Sequence, residues 1–235
     1  MLLGQLDSRP PLIDEVHDRL LGAIVDGTLA PGRRLTQEEL AEMLGVSRQP
    51  VSHAIHLLRR RGLFVDAGKR GIAVAPIDAA RLLDLYQVRE ALDGLAAELA
   101  AARFMTGLNT NEDGKALSRL VEEGQAMVAA ASVGRLVDAD VAFHDAVHGL
   151  SGNMAITETV SDQWPHFRRS MRFVLAREGM KRRVWREHRE ICEAVLAGDA
   201  GRAGRLAREH TARAGQETAD FIAGREVAQV DQQDK

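Results

Sequence analysis

Apolar residues recur every three or four positions near the start of the chain, which predicts an amphipathic helix. Its apolar set is Leu12, Val16, Leu20, Ile24 and Val25. Gly27 follows and is expected to end this helix, because glycine easily adopts the backbone conformations found at helix ends. Thr36 and Glu39 then have the spacing of a capping box, so a second helix is predicted over residues 37–44.

A third helix is expected to begin after Ser47, which can cap it, and to carry Pro50 in its first turn. Two short segments at 63–66 and 71–75 then flank the basic stretch Ala67-Gly68-Lys69-Arg70, a pattern typical of a β-hairpin. Helices joined by a sharp turn and followed by a basic hairpin predict a winged helix-turn-helix unit that binds DNA.

Beyond residue 78 the spacing of apolar residues predicts long helices with few breaks between them. We predict six helices, at about 79–102, 112–131, 134–149, 153–175, 181–197 and 200–223. Pro165 falls inside the fourth of these and is expected to kink it. The fold class is therefore mainly α, with an N-terminal winged helix-turn-helix, a small β-hairpin wing and a C-terminal all-helical bundle. The predicted bounds are 1–75 for the DNA-binding domain, 76–78 for a linker, 79–224 for the bundle and 225–235 for a flexible tail.

Composition narrows the function classes. Hydrophobic residues make up 45% of the chain and charged residues 28%, an ordinary balance for a soluble globular protein. We find no run of the roughly 18 uncharged apolar residues that a membrane span needs, and the chain start lacks the pattern of a secretory signal. The single cysteine, Cys192, excludes an internal disulfide. A cytoplasmic protein without a membrane partner is expected.

Charge is distributed unevenly along the chain. The net charge is −3, yet residues 48–70 hold six basic side chains and one acidic side chain. Because a recognition helix brings its N-terminal residues to base edges, the start of the third helix is a candidate DNA-binding region. The candidate DNA contacts are Ser47, Arg48, Gln49, Ser52 and His53 on this helix, and Lys69 and Arg70 on the wing. The run Arg59–Arg61 can instead be a solvated helix end that interacts with the helix dipole.

Residues 26–75 also carry a series of short motifs. They are Gly27-Thr28-Leu29-Ala30-Pro31-Gly32, Leu40-Ala41, Gly45-Val46-Ser47-Arg48, Pro50-Val51 and Arg70-Gly71. In this order they resemble the DNA-binding domain of GntR-superfamily transcription regulators, which implies a double-stranded DNA operator as partner. A homodimer is expected, because two recognition helices match a palindromic operator. The chain departs from the family at Ser52-His53, where members usually carry Arg-Glu.

The second zone contains a candidate metal site, formed by Asp140, His144, His188 and His210. Asp140 and His144 are four residues apart and so lie on one helix face. One carboxylate and three imidazoles suit zinc, nickel or manganese. Spacing alone leaves two other interpretations open. An Asp-x-x-x-His pair often only forms a hydrogen bond within its helix, and single histidines often have a structural role. His148, four residues after His144, makes the face less well defined.

An all-helical domain of this size after such a DNA-binding unit resembles the FCD branch of the superfamily, the FadR-like group. The C-terminal domain of that branch commonly carries Asp-x-x-x-His and two later histidines. In this chain the second histidine follows the first by 44 residues and the third follows the second by 22, which matches the branch. The resemblance implies a divalent metal, zinc before nickel or manganese, held by Asp140, His144, His188 and His210.

The same resemblance implies a small organic acid as effector. Arg89 is the main candidate to bind it, since a guanidinium suits a carboxylate, and Asn153 is a second candidate. Each has a structural alternative: Arg89 can pair with Asp93 on the same helix, and Asn153 can cap a helix.

The expected function is a ligand-responsive transcription regulator, acting as a repressor, that binds a palindromic operator as a homodimer and senses a small carboxylate at a metal-containing pocket. Two alternatives remain. One is a metal-dependent hydrolase, although the sequence shows no nucleophile elbow, His-Glu-x-x-His motif or phosphate loop. The other is a regulator for which the metal itself is the signal.

Overall fold

The computed structural model describes residues 12–68 and 71–233. The chain divides into two compact units after Pro76, inside the stretch that the sequence pattern assigns to a linker. Each unit has a hydrophobic core built from its own residues. None of the described helices has both the length and the apolar character to cross a bilayer.

The described part of the first unit contains three helices and three short strands. They are α1 (Leu12–Asp26), β1 (Arg34–Leu35), α2 (Gln37–Leu44), α3 (Arg48–Arg60), β2 (Phe64–Ala67) and β3 (Gly71–Val74). The strands form an antiparallel sheet in the order β1-β3-β2. The predicted winged helix-turn-helix is confirmed. Strand β1 is an addition to the prediction, because two residues are too few to show an alternating pattern.

Helix α2 begins and ends where the sequence predicts. The Thr36 hydroxyl accepts a hydrogen bond from the Glu39 N–H at 3.2 Å, and the Glu39 carboxylate accepts one from the Thr36 N–H at 2.6 Å. Gly45 ends the helix in the left-handed region with φ 65°. Ser47 does stand at the N-cap of α3, but its side chain makes no capping hydrogen bond, so that detail of the prediction is wrong.

Helices α1 and α3 form the core of the first unit. Their buried apolar faces meet through Val16, Leu20 and Ile24 of α1 and Val51, Ile55 and Leu58 of α3. Because the apolar face of the amphipathic helix α3 packs against α1, its opposite, polar face is exposed to solvent.

The described part of the second unit contains seven helices. They are α4 (Ala79–Met105), α5 (Asn111–Met127), α6 (Val133–Leu150), α7 (Met154–Ser161), α8 (Trp164–Val174), α9 (Glu178–Leu196) and α10 (Ala200–Gln233). The predicted single helix over 153–175 is wrong. Pro165 lies in the first turn of α8, where its missing N–H leaves no helical bond unmade, so it starts a helix rather than kinking one. Helix α10 also runs past its predicted end at 223, into the stretch expected to be a flexible tail.

Helices α4 and α10 pack along much of their length. Small buried side chains allow this close approach, among them Ala96, Ala97 and Ala100 on α4 and Ala203 and Ala207 on α10. At Gly215 of α10, an added Cβ atom would lie 2.6 Å from the Cβ of Tyr86, so this crossing requires glycine. The packing brings the α4 residues Arg89 and Asp93 against the part of α10 that carries His210 and Thr211.

Candidate functional site

The exposed face of α3 carries the predicted DNA contacts of this helix. Ser47, Arg48, Gln49, Ser52 and His53 are all exposed, whereas the neighbouring residues Pro50, Val51 and Ala54 are buried. The face is therefore free to enter a groove without disturbing the core. The wing residues Lys69 and Arg70 lie outside the described residues.

Two ion pairs accompany this surface. Arg48 pairs with Glu38 of α2 at 3.0 Å, and both side chains are well exposed. Arg59 pairs with Asp66 of β2 at 2.9 Å. Exposed pairs of this kind contribute little to stability, so exchanging the Glu38 carboxylate for a phosphate would cost Arg48 little. The pairing of Arg59 agrees with the reading of this arginine as part of a solvated helix end.

Three helices of the second unit bring the four predicted metal ligands together. Helix α6 carries Asp140 and His144, α9 carries His188, and α10 carries His210, and all four side chains are buried. One nitrogen from each histidine lies within 4.8 Å of the other two. The His188 and His210 Nε2 atoms are 3.2 Å apart. The Asp140 carboxylate lies beside them, 3.6 Å from the His188 Nε2 and 3.8 Å from the His144 Nε2.

These separations fit ligands that share one ion. Atoms bound about 2.1 Å from a tetrahedral zinc lie roughly 3.4 Å from one another. The Asp140 distances are too long for hydrogen bonds, which argues against the simple Asp-x-x-x-His hydrogen bond as the reason for this pair. The His144 Nε2 is buried and has no hydrogen-bond partner in the part of the chain described. A buried nitrogen of this kind is costly unless something binds it, so the donor set suits a divalent cation.

Burial also determines the protonation of the cluster. It lowers the pKa of His144 and of His188 well below the ordinary histidine value, and the positive charge of Arg89 adds to both effects. Both imidazoles are therefore neutral and present a lone pair. Burial raises the pKa of Asp140 to about 6, against the opposing influence of Arg89 and His210. A cation in the cluster would take the place of that proton.

Further contacts fix the rings of the cluster. The His210 Nδ1 lies 2.8 Å from the Glu187 carboxylate, which also pairs with Arg213. Phe143 stacks on the His188 ring at 4.1 Å between centroids, and Trp185 meets that ring edge-on at 4.9 Å. The ring orientations are thus set by packing and by hydrogen bonds before any ligand enters.

Arg89 borders the same centre. It is 4% exposed and its Nε–H donates to the Asp93 carboxylate at 3.1 Å. Its guanidinium lies 4.6 Å from the ring centre of Trp164 and 5.0 Å from that of Phe167. The ion pair with Asp93 considered from the sequence is present, and Arg89 also lines a cavity together with Asp140, His144 and His210.

The cavity is small, with a volume of about 30 Å³. Its other wall is mostly apolar and includes Met171, Val174 and Leu175. A single buried water needs roughly 10–15 Å³ measured in this way, so the cavity holds little more than an ion and a water molecule. Asn153 does not line it. The Asn153 side chain caps α7 by accepting a hydrogen bond from the Ala155 N–H at 3.2 Å, which is the structural alternative stated for this residue.

Several residues that sequence reasoning missed belong to this region. The sequence indicates Asp93 only as a partner for Arg89, and it indicates no role for Glu187. The sequence spacing of His148 from His144 only makes the helix face ambiguous, yet the His148 Nε2–H donates to Asp93 at 2.7 Å. Spacing along one helix cannot reveal this contact, because α4 and α6 are brought together only by the tertiary fold.

Comparisons with known proteins agree over both units. Residues 12–74 match the family described as bacterial regulatory proteins, gntR family, and residues 84–213 match the FCD domain. A Streptomyces ambofaciens protein, named an uncharacterized HTH-type transcriptional regulator in an unstable DNA locus, is 32% identical over 201 residues, covering 83% of this chain and 80% of its own. The Glc operon transcriptional activator of Escherichia coli K12 is 29% identical over 230 residues, or 87% of each chain. The solved structure of Escherichia coli McbR/YncC has a TM-score of 0.73 over 93% of this chain and 100% of its own, with 20% identity, and so shares the fold.

Replacing Asp140 by asparagine is expected to stabilise the metal-free protein more at pH 7.5 than at pH 4.5. The pKa of Asp140 is raised from 3.8 to about 6 in the folded protein. The protonated Asp140 side chain therefore stabilises the fold at pH values below 3.8, and this stabilisation is lost as the pH rises through about 6. Asparagine has no proton to lose, so Asp140→Asn avoids this loss at high pH. The measurement is the melting temperature in the presence of EDTA at both pH values. Asp138→Asn, exposed on the same helix, serves as control, and an Asp140→Asn protein no more stable than wild type at pH 7.5 would contradict the assignment.

Proposed function

The chain belongs to the GntR family of bacterial regulatory proteins and carries an FCD domain, and on that premise we propose that it controls operator binding through a metal-containing sensor site. It is a DNA-binding transcriptional regulator and not an enzyme. The families and the named relatives that it matches are also transcriptional regulators. In the proposed function, residues 1–75 bind DNA, and residues 79–224 bind the effector and form the dimer.

The buried cluster of Asp140, His144, His188 and His210 is the observation that carries this proposal. Four polar side chains converge from three helices at separations that suit one shared ion. Zinc is the proposed metal, and nickel or manganese accept the same nitrogen and oxygen donors. Bound there, the metal supplies a fixed positive charge and a Lewis-acidic position toward which an acid can be held.

A small carboxylic acid is the proposed effector class. Arg89 and the metal would both attract a carboxylate, and Arg89 already lies at the cavity wall beside His144. Because the cavity is about 30 Å³ in volume, the acid must be small or must displace the apolar side chains of Met171, Val174 and Leu175. To act as a signal, the acid must bind one arrangement of the protein better than another.

The cavity volume also favours a second candidate, in which the metal itself is the signal. A space with room for an ion and a water molecule needs no organic ligand to be filled. In that case, metal binding alone would change the affinity for the operator. The two candidates differ in whether removal of the metal, with no acid present, alters DNA binding.

Homodimer formation is supported by one face of α4. This face carries a line of exposed apolar residues, Val88, Ala91, Leu95, Ala102 and Met105. Three of them follow one another at intervals of seven residues, as along the seam of a coiled coil. The opposite face of α4 is already packed against α10, so we assign the exposed line to a second copy of this chain.

The Escherichia coli relative is named an activator, and repression stays a prediction for this chain.

Replacing His188 by alanine is expected to weaken zinc binding by more than about a hundredfold. Loss of a residue that only hydrogen-bonds to a metal ligand typically costs about 10–100-fold, and loss of the ligand itself should cost more. The measurement is zinc content per chain after dialysis, followed by chelator competition. His17→Ala, in the other unit, is the control and should bind zinc as wild type does. Full zinc stoichiometry in His188→Ala would refute the site.

Operator affinity with and without EDTA then separates the two candidate signals. A change on chelation alone identifies the metal as the signal. A change that requires both the metal and an added acid identifies an acid sensor, and no change under either condition contradicts both.

Replacing Arg48 by alanine is expected to lower affinity for DNA selected by the wild-type protein. The loss should be about 5–100-fold, as for removal of one side chain that reads a base or phosphate. Binding is measured at one fixed salt concentration, because phosphate contacts are strongly salt-dependent. Arg119→Ala, exposed on α5, is the matched control. Equal affinity for Arg48→Ala and wild type would remove α3 as the recognition helix.

Replacing Leu95 by arginine is expected to convert the dimer to monomers, because it places a charge in the middle of the apolar line on α4. Light scattering should give twice the chain mass of 25.7 kDa for wild type and a single chain mass for Leu95→Arg. Met154→Lys changes a more exposed apolar residue, on α7, and should remain dimeric. A dimeric Leu95→Arg protein would place the interface elsewhere.

A further inference from the structure

Asp93 of α4 lies at the junction between Arg89 and the candidate metal ligand His144. Its Oδ2 atom accepts hydrogen bonds from the Arg89 Nε–H at 3.1 Å and from the Thr211 hydroxyl at 2.7 Å. The same oxygen is 3.5 Å from the Nδ1 of His144. The other oxygen, Oδ1, accepts from the His148 Nε2–H at 2.7 Å. Three helices, α4, α6 and α10, therefore meet at one carboxylate.

Hydrogen-bond donors surround both oxygens of this carboxylate. The guanidinium of Arg89 and the hydrogen bonds from His148 and Thr211 compensate for the burial of its negative charge. The side chain is 2% exposed, so no bulk water competes for its oxygens. Asp93 thus places a fixed negative charge beside one nitrogen of His144.

The two nitrogens of His144 face different surroundings. Nδ1 is directed toward Asp93, while Nε2 lies 3.8 Å from Asp140 and has no hydrogen-bond partner in the part of the chain described. A carboxylate beside one ring nitrogen favours the tautomer that carries its proton there, and leaves a lone pair on the other nitrogen.

We propose that Asp93 is a positioning residue for the metal centre, which holds His144 with its proton on Nδ1 so that Nε2 can bind the cation. This inference rests on the proposed function. Because Arg89 bonds to the same oxygen, Asp93 also connects the proposed acid-binding arginine to a metal ligand. An acid that draws Arg89 away from Asp93 would then alter the metal site, and by linkage the metal would alter acid affinity equally.

The other ligand rings support this assignment. Glu187 lies 2.8 Å from the Nδ1 of His210, so a second carboxylate occupies the equivalent place on a second imidazole. His188 is held differently, by stacking against Phe143 at 4.1 Å. Outer carboxylates of this kind orient ligand histidines and increase their basicity, and their loss typically weakens metal binding by 10–100-fold.

A purely structural role makes a different prediction. If Asp93 serves only to neutralise the buried Arg89, its removal leaves an uncompensated charge and lowers stability, but leaves the geometry of His144 unchanged. Stability and metal binding must therefore be measured separately.

The test compares Asp93→Asn with wild type by chelator competition for zinc, by the visible spectrum of the cobalt(II)-substituted protein, and by melting temperature without metal. We expect zinc affinity about 10–100-fold weaker and an altered cobalt spectrum. Glu98→Gln, on the same helix and paired with Arg208 at 2.6 Å, is the matched control and should leave both unchanged. Wild-type zinc affinity and an unchanged cobalt spectrum in a folded Asp93→Asn protein would overturn the proposal, even if its melting temperature falls.

A measurement on the wild-type protein decides the matter if Asp93→Asn does not fold. Nitrogen-15 NMR of the metal-free protein should show His144 as the Nδ1–H tautomer, and a proton on Nε2 would overturn the proposal. A wild-type protein that binds no zinc would instead refute the metal site itself, so the two failures are distinguishable.

Discussion

Burying three imidazoles and two carboxylates around one point is the constraint on which the second unit depends. Desolvation of charged groups is expensive, and a protein core can contain them only if they are neutral, paired or bound to a metal. The structure shows the first two of these solutions. His144 and His188 are held neutral by burial, and Asp93 is paired with Arg89 and hydrogen-bonded on both oxygens. Burial raises the pKa of Asp140, so this carboxyl group favours its neutral form more than an exposed one does. Among the described residues, the buried Nε2 of His144 has no hydrogen-bond partner, and a cation fits there beside the Asp140 carboxylate.

The elements that meet at this point are those that a sensor needs to connect. Helices α6, α9 and α10 supply the proposed metal ligands, and α4 supplies Arg89 and Asp93. The opposite face of α4 carries the apolar line assigned to the second copy, and the chain enters α4 directly from the first unit through residues 77 and 78. A ligand that shifts α4 against α10 would therefore act on an element that belongs to the site, the proposed dimer and the connection to the DNA-binding unit.

Local chemistry made much of the fold predictable. The capping box of Thr36 and Glu39 and the end of α2 at Leu44 depend on neighbours a few residues away, and the structure contains both. Pro165 shows the limit of such reasoning, because a proline inside a helical pattern either kinks a helix or starts a new one, and the turn before it decides which. Spacing and family resemblance predict the candidate ligands Asp140, His144, His188 and His210. Asp93, His148 and Glu187 could not be ranked in that way, because their partners lie on other helices and the contacts exist only after folding.

The most direct measurement of the central claim is X-ray diffraction at metal absorption edges, using crystals of protein purified without added metal or chelator. The account predicts one anomalous peak per chain in the second unit, bonded to Asp140, His144, His188 and His210. A peak at a different set of side chains, or none in protein whose zinc content is one per chain, would contradict it.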